Sequence, residues 1–251
     1  MTTTKVNLID EAVKIVKLAD ETSLVLRIMG AIAVRLHCPR SSYLFQSMER
    51  ELSDIDLAGR SEQREKIANL LEKLGYSRRP ITMSLATTGR EIYVGHENTH
   101  LDIFLDKLDM CHLIRFRLEK DFPTIPLADL FLEKMQIVKP GDKDLKDILV
   151  LLREHQLGHN DDDTLNIKHI AEVLSKDWGF YYTVTQNLKK VKAFMLRVNF
   201  LDDKDRSDII SKIDLILSHL EKTPKSLGWR LRAKIGTSMK WYSDVFDLNH
   251  E

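Results

Sequence analysis

Cysteine is scarce in this 251-residue chain: Cys38 and Cys111 are the two present, with no CxxC spacing and no histidine-rich neighbourhood. Neither a zinc site nor a disulfide framework is expected from them. Net charge is missing too. Thirty-eight Lys and Arg balance thirty-eight Asp and Glu, so bulk charge does not hold nucleic acid, and any such partner must meet a local basic patch. No apolar run approaches the ~20 residues that cross a bilayer, and the opening MTTTKVNLIDEAVK lacks the apolar core of a signal peptide. A cytoplasmic protein with no membrane partner is expected. Internal repeats and low-complexity segments are absent. What remains is 43% apolar and 30% charged, the composition of a soluble globular protein long enough for one large domain or for two lobes, either of which can bury a core.

The two halves have different periodicities. Leu8 to Asp20 places Ala12, Ile15, Val16 and Ala19 at helical spacing, and SLVLRIM then reads as a strand that ends at Gly30 before the helix formers AIAVRLH. CPRSSYLFQSMERE is turn-prone, with a helical turn expected near Tyr43 to Met48. SEQREKIANLLEKLG has a candidate N-cap in Ser61, a stripe of Ile67, Leu70, Leu71 and Leu74, and a candidate C-cap in Gly75. Three strand-like runs follow, ITMSLA, REIYVG and THLDIFLD, punctuated by Gly89 and Gly95. From PLADLFLEKMQIV onward the pattern is helical almost to the end, with Pro126 and Pro140 as breaks. The boundary is placed near Phe122, giving domains 1–121 and 122–251. The DDD of Asp161 to Asp163 lacks the alternating ligands and closing glutamate of a calcium loop and reads as a solvated loop.

LSDIDL is the run that points to chemistry. In a strand, alternate side chains share a face, so Asp54 and Asp56 stand side by side while Ile55 and Leu57 point into the core. Adjacent carboxylates repel, and a divalent cation between them relieves the repulsion. HLDIFLD supplies a third carboxylate, Asp102, with Asp106 on the same face as its rival. Three carboxylates converging on a sheet suit two Mg²⁺ ions about 3.5–4 Å apart, acting on an attacking oxygen and a leaving phosphate.

A strand-to-helix turn with glycine, a D-x-D strand and a lone Asp on a later strand together resemble the DNA polymerase β-like nucleotidyltransferase superfamily. RELSDIDL is similar to the R-x-S/T-x-D-I-D-L form of its AbiEii/MenT-type toxin branch, with Arg50 at the arginine place and the serine shifted by one. PLADLFLEKMQIVKPGDKDLKDILVLL resembles the same branch's Asp-then-Lys motif, Asp129 and Lys134, and its K-D-x-x-D motif, Lys143, Asp144 and Asp147. The glycine turn is Gly30-Ala31, without the hydroxyl common at its second position.

The resemblance implies an α+β fold, with a small mixed-sheet nucleotidyltransferase domain followed by a helical C-terminal lobe. It implies Mg²⁺-dependent transfer of a nucleoside monophosphate from an NTP to a hydroxyl, with release of pyrophosphate. Asp54, Asp56 and Asp102 would be metal ligands, Asp102 also a general base. Gly30, Ala31, Arg50, Lys134, Lys143 and Asp147 would meet the nucleotide. The acceptor implied is a tRNA 3′ end, other RNA or a protein hydroxyl, and a toxin role would add an antitoxin protein as partner.

The residues also have plainer readings. Lys143, Asp144 and Asp147 suit a helix start with i, i+4 pairing, Lys134 a lysine that snorkels to solvent, and His100 a packed histidine. The tail KTPKSLGWRLRAKIGTSMK has no acid and carries Arg230, Arg232 and Lys234 beside tryptophans, which makes it the candidate RNA surface; Arg115 and Arg117 are a second candidate. Two alternatives stay open. One is an aminoglycoside-type adenylyltransferase with a small cationic acceptor, the other an inactive nucleotide-binding regulatory module.

Overall fold

The computed structural model describes residues 7–80 and 89–244. The ITMSLA run, 81–86, read above as a strand, lies outside the described residues. In chain order the first elements are α1 (Leu8–Glu21), β1 (Leu26–Met29), α2 (Gly30–His37), α3 (Ser42–Ser47), β2 (Asp54–Gly59) and α4 (Arg64–Lys73). Then come β3 (Ser77–Arg78), β4 (Arg90–Val94), β5 (His100–Leu105), β6 (Lys107–Asp109) and β7 (Leu113–Arg115). The rest is largely helical: α5 (Leu127–Met135), α6 (Asp142–Glu154), β8 (Gln156–Gly158), β9 (Thr164–Asn166), α7 (Ile167–Leu174), α8 (Trp178–Met195), α9 (Asp203–Lys222) and α10 (Leu227–Ile235). The fold is α+β.

The chain forms two compact units. The first takes the described parts of Met1–Pro39, Glu51–Asp109 and Ile114–Pro126; the second takes Arg40–Arg50, Met110–Leu113 and the described part of Leu127–Glu251.

In the first unit five strands form one mixed sheet in the order β1-β2-β5-β4-β3. β2 and β5 are parallel at its centre, and the other pairings are antiparallel. Ile55 and Leu57 of β2 and Leu101 and Ile103 of β5 are buried, each stabilising the unit by about 1.5–3 kcal/mol. Helices α1 and α2 pack on β1 and β2. The Asn7 side chain caps α1 by accepting from Ile9 N and Asp10 N, and the predicted stripe of Ala12, Ile15, Val16 and Ala19 is buried. The free edge of β1 is covered by a returning segment: Ile28 N donates to Pro123 O at 2.8 Å and Ile125 N to Ile28 O at 2.9 Å.

Helix α4 ends as its sequence predicts. Gly75 takes φ +87°, its N–H donates to Glu72 O, and Tyr76 N donates to Leu71 O, which together make a Schellman cap. Its start differs. Ser61 opens a short 3₁₀ turn and gives its own N–H to Asp106 Oδ1 at 3.1 Å, and the α-helix begins at Arg64. The cap therefore comes from a carboxylate 45 residues away.

In the second unit α5 is buried on all sides, from Leu127 to Met135, and packs against α6, α7, α8 and β9. The segment Arg40–Arg50 is stapled to α6. Arg40 Nε donates to Glu154 Oε1 at 2.8 Å, Ser41 Oγ to Glu154 Oε2 at 2.5 Å, and Lys146 Nζ to Met48 O at 2.7 Å. Helix α7 starts only at Ile167, because Thr164–Asn166 is strand and Asn166 accepts from His169 N as the cap.

Candidate active site

Strand β1 delivers the chain to Gly30, whose φ of +68° is left-handed backbone that only glycine adopts without strain. A Cβ there would run into Asp56 Oδ2. Two requirements, one conformational and one steric, therefore converge on this glycine. Ala31 follows, half-buried in the first turn of α2.

The sheet register then assembles the acids. Met29 pairs with Asp56 across the β1–β2 boundary, and Asp56 pairs with Asp102 across the parallel β2–β5 boundary. Paired residues point to one face, so Asp56 and Asp102 stand together beside the start of α2. Asp54 lies two residues earlier on that face, with His100 as its register partner and Ser53 Oγ donating to its Oδ1 at 2.9 Å. Asp54 and Asp56 are half-buried; Asp102 is 8% exposed.

The Asp102 carboxyl is pushed above the usual carboxylate range, chiefly by burial. The charge and hydrogen bond of Arg90 oppose this, Asp54 adds to it, and His100 opposes it. Arg90 on β4 donates from a terminal nitrogen to Asp102 Oδ2 at 2.5 Å. Asp106 is not a fourth member: it sits past the end of β5 at φ +62° and caps Ser61.

Among the described residues no group of three or more His, Cys, Asp or Glu side chains closes into a metal cage. The donor types are nevertheless those that a hard divalent cation takes. The atoms are carboxylate oxygens, two of the three carboxylates are paired in register, and the backbone beside them is stripped to a glycine. One of those carboxylates is held by Arg90 instead.

The other expected nucleotide residues lie in the second unit, where three of them form an ion cluster. Arg50 Nε and Nη2 donate to the two oxygens of Asp147, each at 3.0 Å, and Lys134 Nζ lies 3.4 Å from Asp147 Oδ2 and 3.5 Å from Glu133. Asp147 is 1% exposed, and Arg50 and Lys134 are 8% exposed. Lys134 therefore does not snorkel to water. Lys143 is exposed on α6, while Asp144 Oδ2 accepts from Gly141 N at 3.0 Å and caps that helix. Asp129 Oδ1 pairs with His169 Nε2 at 3.0 Å.

The basic tail is used in part for its own fold. Arg232 donates to the carbonyls of Gly236 at 2.6 Å and Met239 at 2.8 Å, with its guanidinium 4.8 Å from the Trp178 ring centroid. Arg230 and Lys234 are exposed, but so are Leu227, Leu231 and Ile235 of the same helix. The surface is aliphatic with a basic border, and Trp229 is turned inward against Tyr181 at 5.2 Å. Arg115 is exposed at the end of β7 and Arg117 is half-buried.

Arg90 was not singled out by the sequence. Its only local signal is a place just after Gly89 at the start of a strand, and its role depends on which strand β4 pairs with.

No protein-family model matches the chain, and no curated protein matches it. Among solved structures, the lincomycin-bound lincosamide antibiotic adenylyltransferase LnuA aligns at 17% identity and TM-score 0.42, over 57% of this chain and 94% of its own. ANT(2″)-Ia in complex with adenylyl-2″-tobramycin aligns at 16% identity and TM-score 0.39, over 58% and 88%. The solution structure of the antibiotic-resistance factor ANT(2″)-Ia aligns at 17% and 0.43, over 70% and 96%.

Proposed function

We propose that this chain is a metal-dependent nucleotidyltransferase that moves a nucleoside monophosphate from an NTP to the hydroxyl of a small molecule, the acceptor class to which lincomycin and tobramycin belong. One observation carries the reaction class: Asp56 stands opposite Asp102 on parallel strands, with its carboxylate packed over the left-handed Gly30 at the start of α2.

The first-turn N–H groups of α2 are suited to a triphosphate, since a helix start presents donors and a positive dipole end. Asp54, Asp56 and Asp102 would hold Mg²⁺, which when bound would neutralise the triphosphate and the departing pyrophosphate. Asp102 would accept the proton of the acceptor hydroxyl as that oxygen attacks the α-phosphorus. The bond from the α-phosphorus to the bridging oxygen breaks, and pyrophosphate leaves with that electron pair.

The small acceptor is favoured over RNA because the basic tail on which RNA rested is partly used by its own fold. Arg232 closes its own helix, and the exposed neighbours of Arg230 and Lys234 are aliphatic rather than aromatic platforms. The test is to incubate the protein with each labelled NTP and Mg²⁺, together with hydroxylated small molecules, total RNA or protein extract. Label is expected in the small-molecule fraction. Label in RNA would reverse the acceptor assignment, and no incorporation anywhere would leave the inactive regulatory module.

A further inference from the structure

Arg90 brings a cation into this site from within the chain. It lies on β4 two residues before Ile92, the register partner of Asp102, and so reaches that carboxylate diagonally across one strand boundary. Its guanidinium also lies 5.5 Å from the Phe104 ring centroid. Its Nε is buried with no hydrogen-bond partner among the described residues.

A buried donor left without an acceptor costs roughly 1–3 kcal/mol. Arg90 is therefore only partly satisfied by Asp102. A guanidinium presents a planar fork that matches two oxygens of a carboxylate or a phosphate, which a lysine ammonium does not.

We propose that Arg90 is an exchangeable counter-cation. It holds Asp102 while no divalent cation is bound, and it turns its donors to a phosphate oxygen of the nucleotide once a cation takes Asp102. Arg90 and the cation thus compete in the absence of nucleotide and cooperate in its presence. This role rests on the nucleotidyltransferase reading.

The test titrates Mn²⁺ into the full chain, followed by its paramagnetic resonance, and titrates an α,β-methylene triphosphate analogue at saturating Mn²⁺. Arg90→Gln should bind Mn²⁺ about tenfold tighter than wild type without nucleotide and bind the analogue about tenfold more weakly, tenfold being 1.4 kcal/mol. Arg90→Lys should keep the wild-type Mn²⁺ affinity and recover only part of the nucleotide affinity. A merely structural arginine would lower the melting temperature without tightening Mn²⁺. Unchanged or weaker Mn²⁺ binding by Arg90→Gln, or unchanged analogue binding, overturns the proposal.

If Arg90→Gln does not fold, Arg90→Lys decides, and wild-type analogue affinity in that variant overturns it. Asp54→Asn separates the two levels. Loss of Mn²⁺ binding in Asp54→Asn alongside an unaltered Arg90→Gln removes only the role of Arg90. Wild-type Mn²⁺ binding in Asp54→Asn removes the active-site reading itself.

Discussion

The carboxylate face of the first unit and the ion cluster of the second unit use the same residue types to opposite ends. On the sheet, Asp54, Asp56 and Asp102 share one face, Arg90 pairs with Asp102, and Asp54 and Asp56 keep contact with solvent. In the cluster, Arg50 and Lys134 both meet Asp147, Lys134 also lies near Glu133, and all four are buried. Neighbouring carboxylates at an accessible surface repel one another, and a counter-ion would relieve that repulsion. Opposite charges buried together offset one another's desolvation.

The comparison breaks first at the sheet. Asp54→Ala and Asp56→Ala should each lower nucleotide turnover by roughly a thousandfold or more, since removing even one preorganised charge-stabilising contact costs about 10²–10³. Their melting temperatures in metal-free buffer should not fall, because each variant relieves repulsion. Near-wild-type turnover in either would make the carboxylate face an ordinary solvated surface.

Asp147→Ala should do the reverse. It takes the shared carboxylate from two buried cations, Arg50 and Lys134, and should destabilise the protein by about 3–5 kcal/mol, read by denaturant unfolding. A loss near that of a surface ion pair, about 0–1 kcal/mol, would show that the cluster is more open to water than its burial indicates.

Gly30→Ala comes next. A left-handed φ and a collision with Asp56 should together cost roughly 1–3 kcal/mol, with turnover falling alongside. Intact stability with intact turnover would mean that the turn relaxes freely.

Asp102 sharpens the comparison through pH. Its folded pKa is raised, so as pH climbs through the ordinary carboxylate range the unfolded chain releases this proton first, and stability falls until pH passes the raised value. In metal-free buffer at neutral pH, Asp102→Asn should therefore melt at or above wild type. The gap should close as pH is lowered into the ordinary carboxylate range. A lower melting temperature at neutral pH would mean that the Arg90 pair outweighs the burial.

The smallest effect is expected in the tail, where Arg230→Gln with Lys234→Gln should leave turnover on a small acceptor unchanged within measurement error. A loss of turnover there would show that these two cations serve the reaction.

Several of these features are legible in the order of residues alone. Period-2 alternation places Asp54 with Asp56, the glycine after SLVLRIM announces the turn, and Gly75 announces the end of α4. Local geometry decides such features, and local geometry is set by neighbours in sequence. Ser61 misleads because its chemistry suits a cap, while Asp106, brought by the next turn of the sheet, competes for the same place.

Alternation and capping potential belong to the sequence, since each depends on a few consecutive residues. Partnership belongs to the tertiary structure. That Asp56 faces Asp102 depends on β2 choosing β5 as its parallel neighbour, and that Arg90 reaches Asp102 depends on β4 lying antiparallel beside it. Arg50 and Asp147, 97 positions apart, become a bidentate pair only when the segment Arg40–Arg50 docks on α6. A carboxylate carries the same charge wherever it stands in the sequence. Whether it awaits a ligand or has already found a partner is decided by burial and by the groups that packing brings within a hydrogen bond of it.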